Sequence, residues 1–388
     1  MKILLVSPFD FSTPGGVNEH ILHLDRQFQS LGHVTRVLSP RSDEEGEEDD
    51  GHFYKLGVTL PVPSNGSTAR ITLSPFVSGK VKEFLQREDF DIVHLHEPLA
   101  PTLPPFVLLH SKSVNIGTFH AARTSNVGYL YAKPILSHFH AKLDARIAVS
   151  PAALEFIYQY FPGEYEVIPN GIDIDSFGPN VEPIQRYRDG RPNILFVGRY
   201  NESRKGLKYL LRAFSLVRQE FQMARLLVVG PGTPRRFERE IDRYELENVE
   251  FIGPVSRQKL TSLYATCDVF CAPSTGRESF GIVLLEAMAS GKPVVATNIR
   301  GYSAVVRHGI DGLLVERKNP EALAIALVHL LADNDLRERF GRAGRLRAED
   351  HSWPVVAKRV LETYERTRSR VGRQRLAIST PSYYASRR

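Results

Sequence analysis

The sequence predicts an α/β protein of two parallel-sheet domains, and three observations carry that reading. Short apolar runs alternate with helical periodicity along most of the chain, the strand, helix, strand order of a βαβ unit. The pattern then restarts after a polar, proline-containing stretch at residues 178–192, which reads as a linker. A length of 388 residues, 42% hydrophobic and 24% charged, is enough for two cores of ordinary size. Two such halves are expected to be Rossmann-like and to face each other across a cleft.

Taken in order, residues 2–7 (KILLVS) form a first strand of the kind buried on both faces of a parallel sheet. A turn ending Thr13-Pro14-Gly15-Gly16 follows. Val17, Ile21, Leu24 and Phe28 then share one helical stripe, closed by Gly32. Residues 34–38 are the second strand. No full Gly-x-Gly-x-x-Gly occurs, so the dinucleotide fingerprint is absent. Residues 41–75 are expected to be irregular, with the acidic block 43–50 (DEEGEEDD), Pro61, Pro63 and Asn65-Gly66. A helix is expected at 77–86 and strands at 91–96 (DIVHLH) and 115–120 (NIGTFH), the latter delivering His120 at its C-terminal end. Helices around 131–143 and from Pro151 flank a strand at 145–150, and residues 166–171 end the first half.

In the second half, strands are expected at 193–197, 225–230, 249–251, 269–272, 293–297 and 312–315. Helices are expected at 207–221, 257–265 and 320–331, with the last ones spanning 335–368. The remainder from Val371 holds Gly, Ser, Pro and Arg with little pattern and reads as a loose tail.

The stretch 276–291 is the most informative. A polar loop runs into an apolar helix that ends at Gly291, a natural C′ residue. The start of a helix exposes unpaired N–H groups that suit a phosphate, and Glu278 and Glu286 on either side suit the hydroxyls of a sugar. The alternative is a buried βαβ helix with one acid favoured by its dipole. The loop 198–206 (GRYNESRKG) places Arg199 and Lys205 just after a strand, where open α/β sheets bind ligands. A guanidinium fork and an ammonium point charge suit a diphosphate; the alternative is two ordinary surface cations. Gly15-Gly16 either lets the backbone approach a ligand or makes a tight turn. His120 stands at the ligand edge, although a lone His is often structural.

Other chemistries are excluded or weakened. His94 and His96 share a strand face, but no third ligand is evident, so neither a metal nor another cofactor is expected. No Ser-His-Asp arrangement or P-loop occurs. Cys267 and Cys271 read as buried thiols of a reducing compartment. Nucleic acid is disfavoured, because the loops lack aromatic residues interleaved with Lys and Arg. A net charge of +6 leaves nucleotide phosphates and an anionic lipid surface as partners. Arg337, Arg339, Arg342, Arg345 and Arg347, mixed with Asp335 and Glu338, read as a solvated helix face. The short apolar run before Pro8 reads as a strand rather than a leader, and no stretch approaches the ~18 apolar residues of a membrane span. The expected location is cytoplasmic, or peripheral at the inner face of the cell membrane.

The segment from Glu278 to Glu286 resembles the E-x7-E motif of the retaining glycosyltransferases of family four. Val197-Gly198-Arg199 with Lys205-Gly206, Pro14-Gly15-Gly16-Val17 and Ile168-Pro169-Asn170-Gly171-Ile172 are similar to that family too. A closer likeness is to the phosphatidylinositol mannosyltransferases. It rests on the same early Gly-Gly turn, Asn65-Gly66-Ser67 with Arg70, residues 91–98 (DIVHLHEP), Thr118-Phe119-His120, residues 198–206 and residues 278–288. The resemblance implies the GT-B fold, with the last helix crossing back to the first domain. The domains would be 1–178 with the crossing helix 354–370, then 192–353, and a loose tail at 371–388. It implies metal-independent transfer of mannose from GDP-mannose to the inositol of a membrane lipid. Arg199 and Lys205 would hold the donor diphosphate, with the backbone of Phe280, Gly281, Ile282 and Val283. Glu278 would contact the donor sugar and Glu286 the ribose, and Gly16 would let the backbone approach the diphosphate. His120 would stand at the junction of donor and acceptor, with Asn18, Asn65 and Arg70 near the acceptor. The alternatives are transfer from a UDP-sugar to a soluble acceptor, a sugar-nucleotide epimerase of the same fold, and a non-catalytic binder. The oligomeric state is not set by the sequence.

Overall fold

The apolar runs pair as parallel strands in both halves. The computed structural model describes residues 1–11, 15–41, 48–58, 60–64, 67–71, 77–122, 127–178 and 180–379. They divide into two units: Met1–Val149, Ala153–Ile168 and the chain from Trp353 onward form the first, and Ser150–Ala152 with Pro169–Ser352 the second.

The first unit begins β1 (Lys2–Val6), α1 (Gly16–Ser30), β2 (Val34–Arg41), β3 (Glu48–Asp49) and β4 (Phe53–Val58). A hairpin of β5 (Leu60–Ser64) and β6 (Ser67–Ile71) stands apart as its own two-stranded sheet. Then come α2 (Val77–Glu88), β7 (Ile92–His96), α3 (Leu103–His110), β8 (Val114–Phe119), α4 (Val127–Ala141), β9 (Ala145–Ala148), α5 (Pro151–Tyr158) and β10 (Glu166–Val167). The main sheet has the order β10-β9-β8-β7-β1-β2-β4-β3, and only β3 runs antiparallel to its neighbour. β1 is flanked by β2 on one side, with Lys2 opposite Val34, and by β7 on the other, with Ile3 opposite Ile92. The chain winds outward through β2 and returns past β1, so the topological switch point lies between β1 and β7.

The second unit contains β11 (Asn193–Val197), α6 (Leu207–Glu220), β12 (Arg225–Val229), α7 (Glu238–Arg243), β13 (Val249–Gly253), α8 (Arg257–Thr266) and β14 (Val269–Ala272). It continues with α9 (Ile282–Ala289), β15 (Val294–Thr297), α10 (Arg300–Ser303), β16 (Gly312–Val315), α11 (Pro320–Ala332) and α12 (Asn334–Glu349). The sheet order β13-β12-β11-β14-β15-β16 puts its switch point between β11 and β14. The last helix, α13 (Trp353–Ser379), belongs to the first unit. Its Trp353, Val356, Val360 and Tyr364 are buried with Ile3, Leu24, Phe28 and Val37. At its centre the Tyr364 hydroxyl lies 2.6 Å from Nδ1 of His94, inside the sheet.

Several sequence expectations are corrected. The region 41–75 is not irregular: β4 extends the main sheet, with Val37 opposite Phe53, and β5 pairs with β6. Residues 43–47 of the acidic block lie outside the described residues. Residues 169–178 go with the second unit rather than the first, because Ile172 and Phe177 are buried in its core. The stretch read as a linker also contributes Tyr187 to that core. The last helix runs on to Ser379, with Val371 buried, where a loose tail was expected. The arginine cluster is not simply a solvated face. Arg337 donates to the carbonyls of Leu330 and Leu331 at 2.7 Å, and Arg345 to that of Ala289 at 2.7 Å, so both cap the carbonyl ends of neighbouring helices. Arg339 and Arg342 stay exposed. Among the described residues, no helix is long and apolar enough to cross a membrane.

Two stability predictions follow from the buried Tyr364–His94 contact. Tyr364→Phe strands a buried ring nitrogen and should cost about 1–3 kcal/mol in urea unfolding. Burial also pushes the His94 imidazole down to about 3. The unfolded chain takes up this proton near pH ~6.5, while the folded chain resists it. The stability that neutral His94 contributes is therefore complete above about pH 6.5 and is lost as pH falls toward about 3. The urea midpoint should drop steadily across that window, and a flat profile would contradict it.

Candidate active site

The basic loop and the Glu278 loop meet at the switch point of the second unit, because they leave the C-terminal ends of adjacent strands β11 and β14. Close backbone contact locks them together. The Thr275 N–H donates to the Arg204 carbonyl at 2.7 Å. Gly206 adopts a left-handed conformation (φ 77°) against Pro273, where a Cβ would stand 2.0 Å from the Pro273 carbonyl oxygen. No other residue fits there.

The charged groups of the two loops form one alternating chain. Arg199 Nε lies 2.9 Å from Glu202 Oε1, and Arg204 lies 2.6 Å from Glu202 Oε2. Arg204 and Lys205 each reach Oε1 of Glu278 at 2.7 Å. Ser274 donates to the same oxygen at 3.2 Å. No described side chain takes Oε2 of Glu278. The Glu278 and Lys205 side chains are only 12% and 14% exposed, so their attraction is poorly screened. The Arg199 side chain is 47% exposed and can turn toward a ligand. Three cations face two carboxylates, leaving an excess of one positive charge for an anion.

Glu286 lies on α9, as the sequence implies, and its Oε2 accepts a hydrogen bond from Tyr264 at 2.7 Å. Burial raises its carboxyl above the usual range, against the lowering effect of that hydrogen bond. The N-terminus of α9 follows Gly281, which is left-handed at φ 99°. Phe280 is buried beneath it, while Gly281, Ile282 and Val283 remain partly exposed. At its other end, α9 is gripped by α12: a Cβ on Gly341 would meet the Gly291 carbonyl oxygen at 2.2 Å, and Gly344 packs on Met288. The segment expected to bind phosphate is thus fixed at both ends.

At the switch point of the first unit, four histidines gather. His20 comes from α1, His94 and His96 from β7, and His120 follows β8. All four are buried. His96 Nδ1 and His120 Nε2 are 2.9 Å apart, and the His20 ring meets the edges of both at centroid distances of 5.3 and 5.0 Å. Burial, reinforced by their neighbours, holds His96 and His120 well below the usual imidazole range, so both are neutral at neutral pH. The His94–His96 pair thus does acquire further imidazoles, contrary to the sequence reading. Ligand atoms of His20, His96 and His120 all lie within 4.8 Å of one another, a group able to hold a metal ion.

The other acceptor-side residues are less informative. Gly15 and Gly16 are exposed at the start of α1. Asn18 is buried, accepts from Ser7 at 2.9 Å and donates to the Asp10 carbonyl at 2.8 Å, so it shapes the loop after β1. Asn65 lies outside the described residues, and Arg70 is placed only as a backbone position of β6, opposite Pro61. Sequence reasoning missed Arg204, Glu202 and His20. Arg204 sits beside Lys205 in the quoted loop, and two cations in sequence before a Gly could have drawn notice. Nothing in the sequence ties His20, a core-facing position of α1, to His120.

Comparison with known proteins places the chain. Residues 14–176 match the family described as Glycosyltransferase Family 4, and residues 180–347 that described as Glycosyl transferases group 1. The chain is 38% identical over 369 residues to a phosphatidyl-myo-inositol mannosyltransferase of Mycobacterium tuberculosis, covering 94% of this chain and 97% of the relative. Its fold is similar to that of a solved glycosyltransferase from Rickettsia africae, with TM-score 0.74 and 24% identity over 94% of this chain and 98% of the other. A solved Anabaena protein in complex with UDP-glucose is similar at TM-score 0.73 and 20% identity, over 94% and 99% of the two chains. The chain is a glycosyltransferase of family four and belongs with the phosphatidyl-myo-inositol mannosyltransferases.

Proposed function

We propose that the protein is a retaining mannosyltransferase that moves mannose from GDP-mannose to the inositol of a phosphatidylinositol-like lipid. The observation that carries the donor half is the convergence of Arg204 and Lys205 on one oxygen of Glu278, next to the start of α9. A diphosphate arriving there competes with Glu278 for the two cations. Arg199 and Lys205 take its oxygens, and the N–H groups at the start of α9 add partial positive charge. As the sugar bond breaks, negative charge grows on the diphosphate, and these groups already stand where it develops. Glu278, with Oε2 uncommitted, accepts from a sugar hydroxyl, and Glu286, held by Tyr264, accepts from the ribose. The acceptor hydroxyl attacks from the face the diphosphate leaves, and a phosphate oxygen takes its proton.

The mannose and the inositol lipid rest on the likeness to the mycobacterial enzyme at 38% identity. Exposed Leu130, Tyr131 and Ile135 on α4 and exposed Lys80 and Lys82 on α2 supply apolar and basic side chains that suit an anionic lipid surface. No metal enters this scheme. Two nitrogens on one tetrahedral zinc at ~2.1 Å would stand about 3.4 Å apart, whereas His96 and His120 approach to 2.9 Å, a hydrogen-bond distance.

The test is incubation with GDP-mannose and phosphatidylinositol vesicles, with EDTA present. The expected result is GDP release that depends on the lipid and a product with the donor's anomeric configuration. Lys205→Ala should lower that turnover by about 100- to 1000-fold, the scale of a lost transition-state donor. Lipid-independent epimer formation, turnover only with a UDP-sugar and a soluble polyol, or near-normal activity of Lys205→Ala would each contradict the proposal.

A further inference from the structure

The structure assigns His96 and Glu97 as positioning residues for His120, which they deliver with its proton on Nδ1, as a hydrogen-bond donor and not a general base. This inference rests on the reading of His120 as a substrate-side residue and specifies what it does there: it offers an N–H to an oxygen of the bound sugar, acceptor or phosphate.

The two residues grip His120 in different ways. β7 and β8 are neighbours, with His96 opposite Thr118, so the chain after each strand emerges at the same sheet edge. Glu97 adopts a left-handed backbone (φ 48°), uncommon for a residue with a long side chain. Hydrogen bonds to β8 and the residues after it hold it there. Its N–H donates to the Thr118 carbonyl at 2.8 Å, and its Oε1 accepts from the His120 N–H at 2.6 Å and the Ala121 N–H at 2.7 Å. The carboxylate thus fixes the main chain of His120, while His96 holds the ring at 2.9 Å.

The proton follows from satisfying the buried groups. One proton lies between His96 Nδ1 and His120 Nε2, so only one of the two donates. His96 is fully buried, and its other nitrogen, Nε2, has no hydrogen-bond partner among the described residues. If His120 donated, neutral His96 would carry its own proton on Nε2, a buried N–H with no acceptor. If His96 donates from Nδ1, Nε2 is only an unused lone pair, the less costly of the two omissions. Both rings are neutral because burial disfavours their charged forms. Neutral His120, accepting at Nε2, must then bear its proton on Nδ1, and no described residue takes that N–H.

Nitrogen-15 NMR of the full chain labelled at histidine tests this directly, with His120→Gln used for assignment. The expected spectrum shows His120 with a proton-bearing Nδ1 and a proton-free Nε2; the reverse pattern overturns the inference. This readout needs no turnover, so it separates failure here from failure of the proposed reaction. Kinetics give the second arm. His96→Asn keeps an N–H near the position of Nδ1 and should stay within about threefold of the parent, whereas His96→Leu should lower kcat by about tenfold with donor KM little changed. Glu97→Gln keeps an acceptor oxygen and should be milder than Glu97→Ala. A His96→Leu protein that melts like the parent and turns over normally, or a His96→Asn protein as impaired as His96→Leu, would refute the positioning role.

Discussion

The ion pairs from Arg204 and Lys205 to a single oxygen of Glu278 are the constraint on which the second unit's site depends. They exist because β11 and β14 are neighbours although β12 and β13 lie between them in sequence. That order brings a basic loop and an acidic loop to one edge, and the Gly206–Pro273 and Thr275–Arg204 contacts leave the loops no room to separate. A carboxylate held this way is neither free nor permanently satisfied. An anion with more charge than Glu278 can replace it on the cations, and the carboxylate is then available for a neutral hydroxyl. Binding and orientation of a phosphorylated sugar thus use the same few groups.

The first unit uses a different economy. Its switch point is lined by imidazole rings enclosed by α1, α13 and the strand faces, and the Glu97 carboxylate there is spent on the backbone N–H groups of His120 and Ala121. Desolvation keeps His94, His96 and His120 uncharged, and uncharged imidazoles can specify direction: each has one donor and one acceptor nitrogen. Tyr364, reaching from α13 into the sheet at His94, makes the last helix part of this arrangement. The chain's return to its first unit therefore supports more than the hydrophobic core.

Much of this was legible in the sequence. The strands on either side of both switch points, the loops after β11 and β14, and the placement of Glu286 on a helix all followed from apolar runs, turn residues and helical periodicity. What was hidden depends on tertiary distance. Residues 53–58 read as loop because β4 gains its partner from β2 and its hydrophobic support from α2. Ile172 and Phe177 sit in a polar neighbourhood that gives no hint of which core they join. Arg345 looks like a surface cation until its guanidinium is seen on the Ala289 carbonyl. His20 and His120 are 100 positions apart and meet only because α1 packs over the sheet.

The most direct test of the account is a crystal structure of the chain with GDP-mannose. The account predicts the diphosphate on Lys205, Arg199 and the first N–H groups of α9, with the Glu278 carboxylate released from Lys205 and directed at the sugar. A diphosphate bound elsewhere, with Arg204, Lys205 and Glu278 still paired as they are here, would contradict it.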